Sequence, residues 1–72
     1  MKLIELSDKQ TLRREEAAKL LRELADRLAR QNEVEFMRRG MRITTKVADE
    51  VEIEVELEVE TDEKSLEIEI TW

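Results

Sequence analysis

Carboxylates are the one abundant chemical resource of this chain: 19 of its 72 residues are Asp or Glu. They are concentrated toward the C-terminal end, where Glu52, Glu54, Glu56, Glu58 and Glu60 occupy every second position and Glu67 and Glu69 follow in the same rhythm. Clustered carboxylates can hold Ca²⁺ or Mg²⁺, or face a basic partner. Such cation sites draw converging oxygens from a folded loop, however, and a flat ladder supplies few at one point. The remaining chemistry is sparse. His, Cys and Tyr are absent, which removes most general acid–base candidates, the common zinc ligands and disulfides. Ser7 and Ser65 have no imidazole to activate them. The residue types therefore predict no enzyme, no catalytic residue, no resident metal and no cofactor.

The elements that carry the carboxylates follow from periodicity. Residues 51–60 alternate apolar and acidic without error, and 66–72 repeat the pattern as Leu-Glu-Ile-Glu-Ile-Thr-Trp. Successive side chains of a strand point to opposite faces, so the pattern is that of strands with one dry and one wet face. Val51, Ile53, Val55, Leu57, Val59, Leu66, Ile68, Ile70 and Trp72 are expected inward. Residues 2–6 predict a first strand with Ile4 and Leu6 inward and Leu3 breaking the alternation. Thr11 is the expected helix N-cap, with Ser7 and Gln10 as a competing capping-box start. Ala17, Leu20, Leu21, Leu24, Ala25 and Leu28 recur at helical spacing to about residue 31, Leu24 being central to the expected core. Asn32 is the stop. Strands are predicted at 33–38 and 41–47, joined at Arg39-Gly40, where the only Gly suits a tight hairpin. That register pairs Arg38 with Met41, Phe36 with Ile43 and Val34 with Thr45. Residues 48–50 make the next reversal, placing Val47 opposite Val51, and 61–65 the last, placing Val59 opposite Leu66. Glu58 then faces Glu67, and Glu56 faces Glu69.

The assembled expectation is an α+β domain over residues 1–72: one helix packed on one face of a mostly antiparallel five-stranded sheet, in the order β-α-β-β-β-β. Short connections favour consecutive hairpins, and the first strand needs an edge that the sequence leaves open. Trp72 is expected to plug one end of the core.

Several stretches together resemble the amphi-Trp domain family. They are Arg14-Glu15-Glu16-Ala17-Ala18, then Leu21-Arg22-Glu23-Leu24-Ala25-Asp26-Arg27-Leu28, the Asp49-Glu50-Val51-Glu52 entry into the Glu-rich strand, and the close at Leu66 to Trp72. The resemblance covers nearly the whole chain and implies a small prokaryotic domain of unassigned activity, with no catalytic residue to carry over. Two departures are visible: Arg39-Gly40 stands where members often have Gly-Gly, and Ala48 where they often have Pro. Neither threatens the fold.

Charge bounds the partners. Residues 1–46 carry 12 basic and 8 acidic residues, net +4, whereas 47–72 carry 1 basic and 11 acidic, net −10. An acidic sheet face repels nucleic acid and anionic membrane, and no apolar run approaches the roughly 20 residues needed to span a bilayer. A soluble, cytoplasmic protein is expected. The expected role is protein interaction or self-association, as a homodimer or with another protein. The alternative is an acidic-faced, divalent-cation-binding or salt-adapted protein. The candidate surface comprises Leu3 and Met37, as a possible exposed apolar patch, with Glu54, Glu56, Glu58, Glu67 and Glu69. The plainer account of the Glu array is solubility and protection of a β-rich chain from aggregation.

Overall fold

A computed structural model describes residues 1–2 and 4–72, so the part assigned to Leu3 lies outside the described residues. Helix α1 spans Arg14–Gln31, 18 residues. Glu15 and Glu16 occupy its first turn and Arg30 its last, each sign matched to the helix dipole. Asn32 ends it in the left-handed region at φ 54, a conformation Asn tolerates better than most residues. The N-terminus differs from expectation. Neither Thr11 nor Ser7 caps the helix: Arg13 holds the extended N-cap geometry and makes no side-chain cap hydrogen bond. Its carbonyl accepts the N–H of Ala17 at 3.0 Å.

Strand β1 (Glu33–Arg38) and strand β2 (Met41–Lys46) form the expected antiparallel hairpin, with Phe36 opposite Ile43 and Arg38 opposite Met41. Arg39 (φ 51) and Gly40 (φ 77) both take positive φ, as a two-residue turn matched to strand twist requires. The base of the hairpin is closed by the Val47 N–H, which donates to the Asn32 carbonyl at 2.8 Å.

Strand β3 (Glu52–Val59) and strand β4 (Lys64–Thr71) form a second antiparallel hairpin. Its register is two residues away from expectation. Leu57, not Val59, faces Leu66; Glu54 faces Glu69, Glu56 faces Glu67, and Glu58 faces Ser65. The cause is a tighter loop. The Glu60 N–H donates to the Glu63 carbonyl at 2.8 Å, so the chain reverses within 60–63 and Lys64 and Ser65 join the strand.

The single five-stranded sheet does not form. The structure contains two separate two-stranded sheets, β1-β2 and β3-β4. Residues 2 and 4–6 lie outside any strand: with only Ile4 and Leu6 alternating, a ladder there would be very short. Their side chains instead line clefts with Val34, Phe36 and Ile43, and the Arg38 guanidinium donates to the Ser7 carbonyl at 2.9 Å. The reversal expected at 48–50, with Val47 opposite Val51, also fails. Among the described residues positive φ occurs only at Asn32, Arg39 and Gly40, so Ala48, Asp49 and Glu50 supply none of the left-handed geometry that the tightest hairpin loops use.

Helix α1 packs against β1, and the β3-β4 hairpin packs against neither the helix nor the first hairpin. No residue among those described is fully buried. The chain exposes 7405 Å², against roughly 4,700 Å² for a compact monomer of its mass. The radius of gyration is 14.1 Å, where a compact chain of this length would give about 11 Å. The elements are formed; much of the apolar surface they organise is uncovered.

Candidate interaction surface

Alternation in residues 52–71 sorts the second hairpin into two faces. Glu52, Glu54, Glu56, Glu58, Glu67 and Glu69 share one, and every one of them is exposed. The pairs Glu54–Glu69 and Glu56–Glu67 set like charges directly opposite, which destabilises a hairpin. Three ion pairs occur among the described residues: Lys2–Glu5 at 2.9 Å, Arg14–Glu15 at 3.6 Å and Arg27–Glu35 at 2.7 Å. None involves the second hairpin. Val47 opposite Val51 would have set Lys46 against Glu52 and Arg42 against Glu56, but β2 and β3 do not meet, so neither pairing forms. Among the described residues no group of three carboxylates converges closely enough to hold a metal ion.

The opposite face is apolar and open. Ile53, Val55, Leu57 and Val59 on β3 stand beside Leu66 and Ile68 on β4, with Leu57 72% exposed and Ile53 63%. Ile70 is half-buried. Trp72, expected to plug the core, is 54% exposed. On this face the cross-strand pairs Ile53–Ile70, Val55–Ile68 and Leu57–Leu66 are apolar on both sides. The result is an uninterrupted stripe, and an unpartnered β-hairpin is at best marginally stable in water.

Helix α1 presents a second open surface. Ala17, Ala18 and Leu28 are half-buried, whereas Leu20, Leu21 and Leu24 remain 43–50% exposed. Leu24 is therefore not the centre of a core, contrary to expectation. The helix is held to β1 in part by the Arg27–Glu35 pair, whose carboxylate is the more enclosed partner. A charge-assisted hydrogen bond of 2.7 Å in this setting fixes direction as well as adding modest stability.

A third surface is a cleft of about 270 Å³ floored by Leu6, Phe36, Met41 and Ile43, with Arg38 and Arg39 at its rim. It falls below the roughly 300–1,000 Å³ of pockets that enclose small ligands. Met37 lies elsewhere. It sits opposite Arg42, on the face of β1 shared with Glu33 and Glu35, so it is a lone exposed apolar residue on a polar face.

The five site carboxylates are thus brought together on one face, but Met37 joins neither them nor the apolar stripe. The larger feature is the stripe itself, which periodicity had assigned to a core within the chain. Its signal in the sequence was the error-free alternation. That pattern establishes a dry face without saying what keeps it dry.

Among the described residues no helix is long and apolar enough to cross a membrane. No curated protein and no solved structure matches the chain. The Amphi-Trp domain family matches residues 1–72, and with its alternating C-terminal hairpin and closing Trp the chain belongs to that family.

Proposed function

We propose that the protein is a self-association module, with a binding role and no reaction of its own. The observation that carries this reading is the open apolar face of the β3-β4 hairpin, contributed by Ile53, Val55, Leu57, Val59, Leu66 and Ile68. Folding must offset a conformational entropy of about 1–2 kcal/mol per residue, chiefly by removing apolar surface from water. A chain with no fully buried side chain among its described residues has little with which to do so alone. The surface in excess of a compact monomer is about 2,700 Å² per chain, more than the roughly 800 Å² per partner of a standard stable interface. The Glu face of the same hairpin then points to solvent, where it keeps the assembly soluble and guards the open strand edges.

Sedimentation equilibrium over a range from low to several hundred micromolar tests the reading. A species heavier than the 8.6 kDa chain is expected, with thermal stability that rises with protein concentration, since association stabilises the folded state by mass action. A single 8.6 kDa species at every concentration overturns it.

A further inference from the structure

We infer that the occupant of the open hairpin face is the exposed Leu20–Leu21–Leu24 stripe of α1 from a second copy of the chain, and that the contact is made twice, each copy giving one hairpin and one helix. The inference rests on the self-association reading and adds to it which surface meets which.

Three observations converge. The first is length. An 18-residue helix runs about 27 Å, and 8-residue strands run about 27 Å, so helix and hairpin match end to end. The second is charge. Residues 14–46, which hold α1 and the first hairpin, carry nine basic and six acidic residues, net +3; residues 52–71 carry one basic and nine acidic, net −8. Helix against hairpin joins opposite signs. Hairpin against hairpin joins two strongly acidic elements, whereas α1 by itself, with five basic and four acidic residues, is net +1 and gives helix against helix no comparable attraction. Attraction of this kind selects among otherwise equivalent apolar contacts. The third is area. Both faces are open in the single chain, and a reciprocal contact covers both at once, closing a two-fold dimer with neither of these two faces left to propagate.

The hairpin does not rest on its own helix in this structure. Val47 is tethered to Asn32 at the helix C-terminal end, and the four residues 48–51 that follow reach at most about 14 Å. That leash lets the hairpin stand clear of its own chain while remaining beside it.

Leu24 sits near the middle of α1 and Ile68 near the middle of β4, so the two meet whichever way the elements run. The chain has no Cys, which makes disulfide trapping clean. Leu24→Cys and Ile68→Cys chains are unfolded together, refolded as a mixture and oxidised. The expected result is a disulfide-linked dimer in the mixture and none in either variant alone. A mixture of Leu24→Cys with Glu56→Cys, on the wet face, supplies the background. Isotope-filtered NOEs between labelled and unlabelled native chains repeat the measurement without any substitution, and are expected between Leu20 or Leu24 methyls and Val55 or Ile68 methyls. Linkage in the Ile68→Cys sample alone, or native intermolecular NOEs confined to hairpin residues, overturns the arrangement while leaving self-association intact. So does a native dimer that lacks the helix–hairpin NOEs. A native chain that stays monomeric at every concentration overturns both.

Discussion

Replacing Leu57 by Ala separates a stripe that is covered by association from one that stays in water. Leu57 is 72% exposed in the single chain. Full burial of a Leu side chain contributes about 1.5–3 kcal/mol, so roughly 1–2 kcal/mol per copy remains to be gained when the face is covered. Trimming the side chain to Ala forfeits most of that in each copy. A dimer therefore loses about 2–4 kcal/mol, a rise in Kd of about 30- to 1,000-fold. Sedimentation equilibrium of the wild-type and Leu57→Ala chains gives the two constants directly. Glu56→Ala, next in sequence and on the opposite face, is the control and is expected to leave Kd nearly unchanged or to tighten it slightly by removing repulsion from Glu67. A Leu57→Ala shift of less than about threefold, under 1 kcal/mol, refutes the reasoning, because it means that the side chain gains no cover on association.

Other consequences concern the elements themselves. Gly40 has φ +77 and open space where a Cβ would stand, so Gly40→Ala is expected to cost about 1 kcal/mol in chemical denaturation through backbone conformation alone; no loss would mean the turn is not left-handed at that residue. Glu56→Lys converts the Glu56–Glu67 pair into opposite charges and should stabilise the second hairpin by about 0.5–1 kcal/mol at low salt. Register shifted by two, as the alternation also permits, would put the benefit opposite Glu69 instead, which interstrand NOEs resolve. Arg13→Asp provides a side-chain acceptor at an uncapped helix start and should add about 1 kcal/mol of helix stability; circular dichroism melts showing no gain would place the helix start elsewhere.

Local chemistry made much of this protein legible without coordinates. Helix α1 follows from the spacing of its leucines, its stop from Asn32, and the register of the first hairpin from the Arg39-Gly40 turn, although the second strand ends at Lys46, one residue short of the expected 47. Each of these depends on neighbours a few positions apart, where stereochemistry acts before any packing. The two faces of residues 52–71 follow in the same way, since alternation alone assigns side chains to opposite sides of a strand. The register of the second hairpin did not, because a slip of two residues preserves both faces and only the hydrogen bond between Glu60 and Glu63 distinguishes the alternatives. Nor did the sheet. Whether β2 and β3 join depends on the backbone path through Ala48, Asp49 and Glu50, and no residue type there dictates a reversal. The tertiary structure decided the matter of greatest consequence for function. An alternating strand records that one face avoids water, and the hydrophobic effect is non-directional, so the pattern is identical whether the cover comes from the same chain or another. Only the placement of β3-β4 clear of α1 left Leu57 and Leu24 both exposed, and so turned an expected core into two open apolar faces.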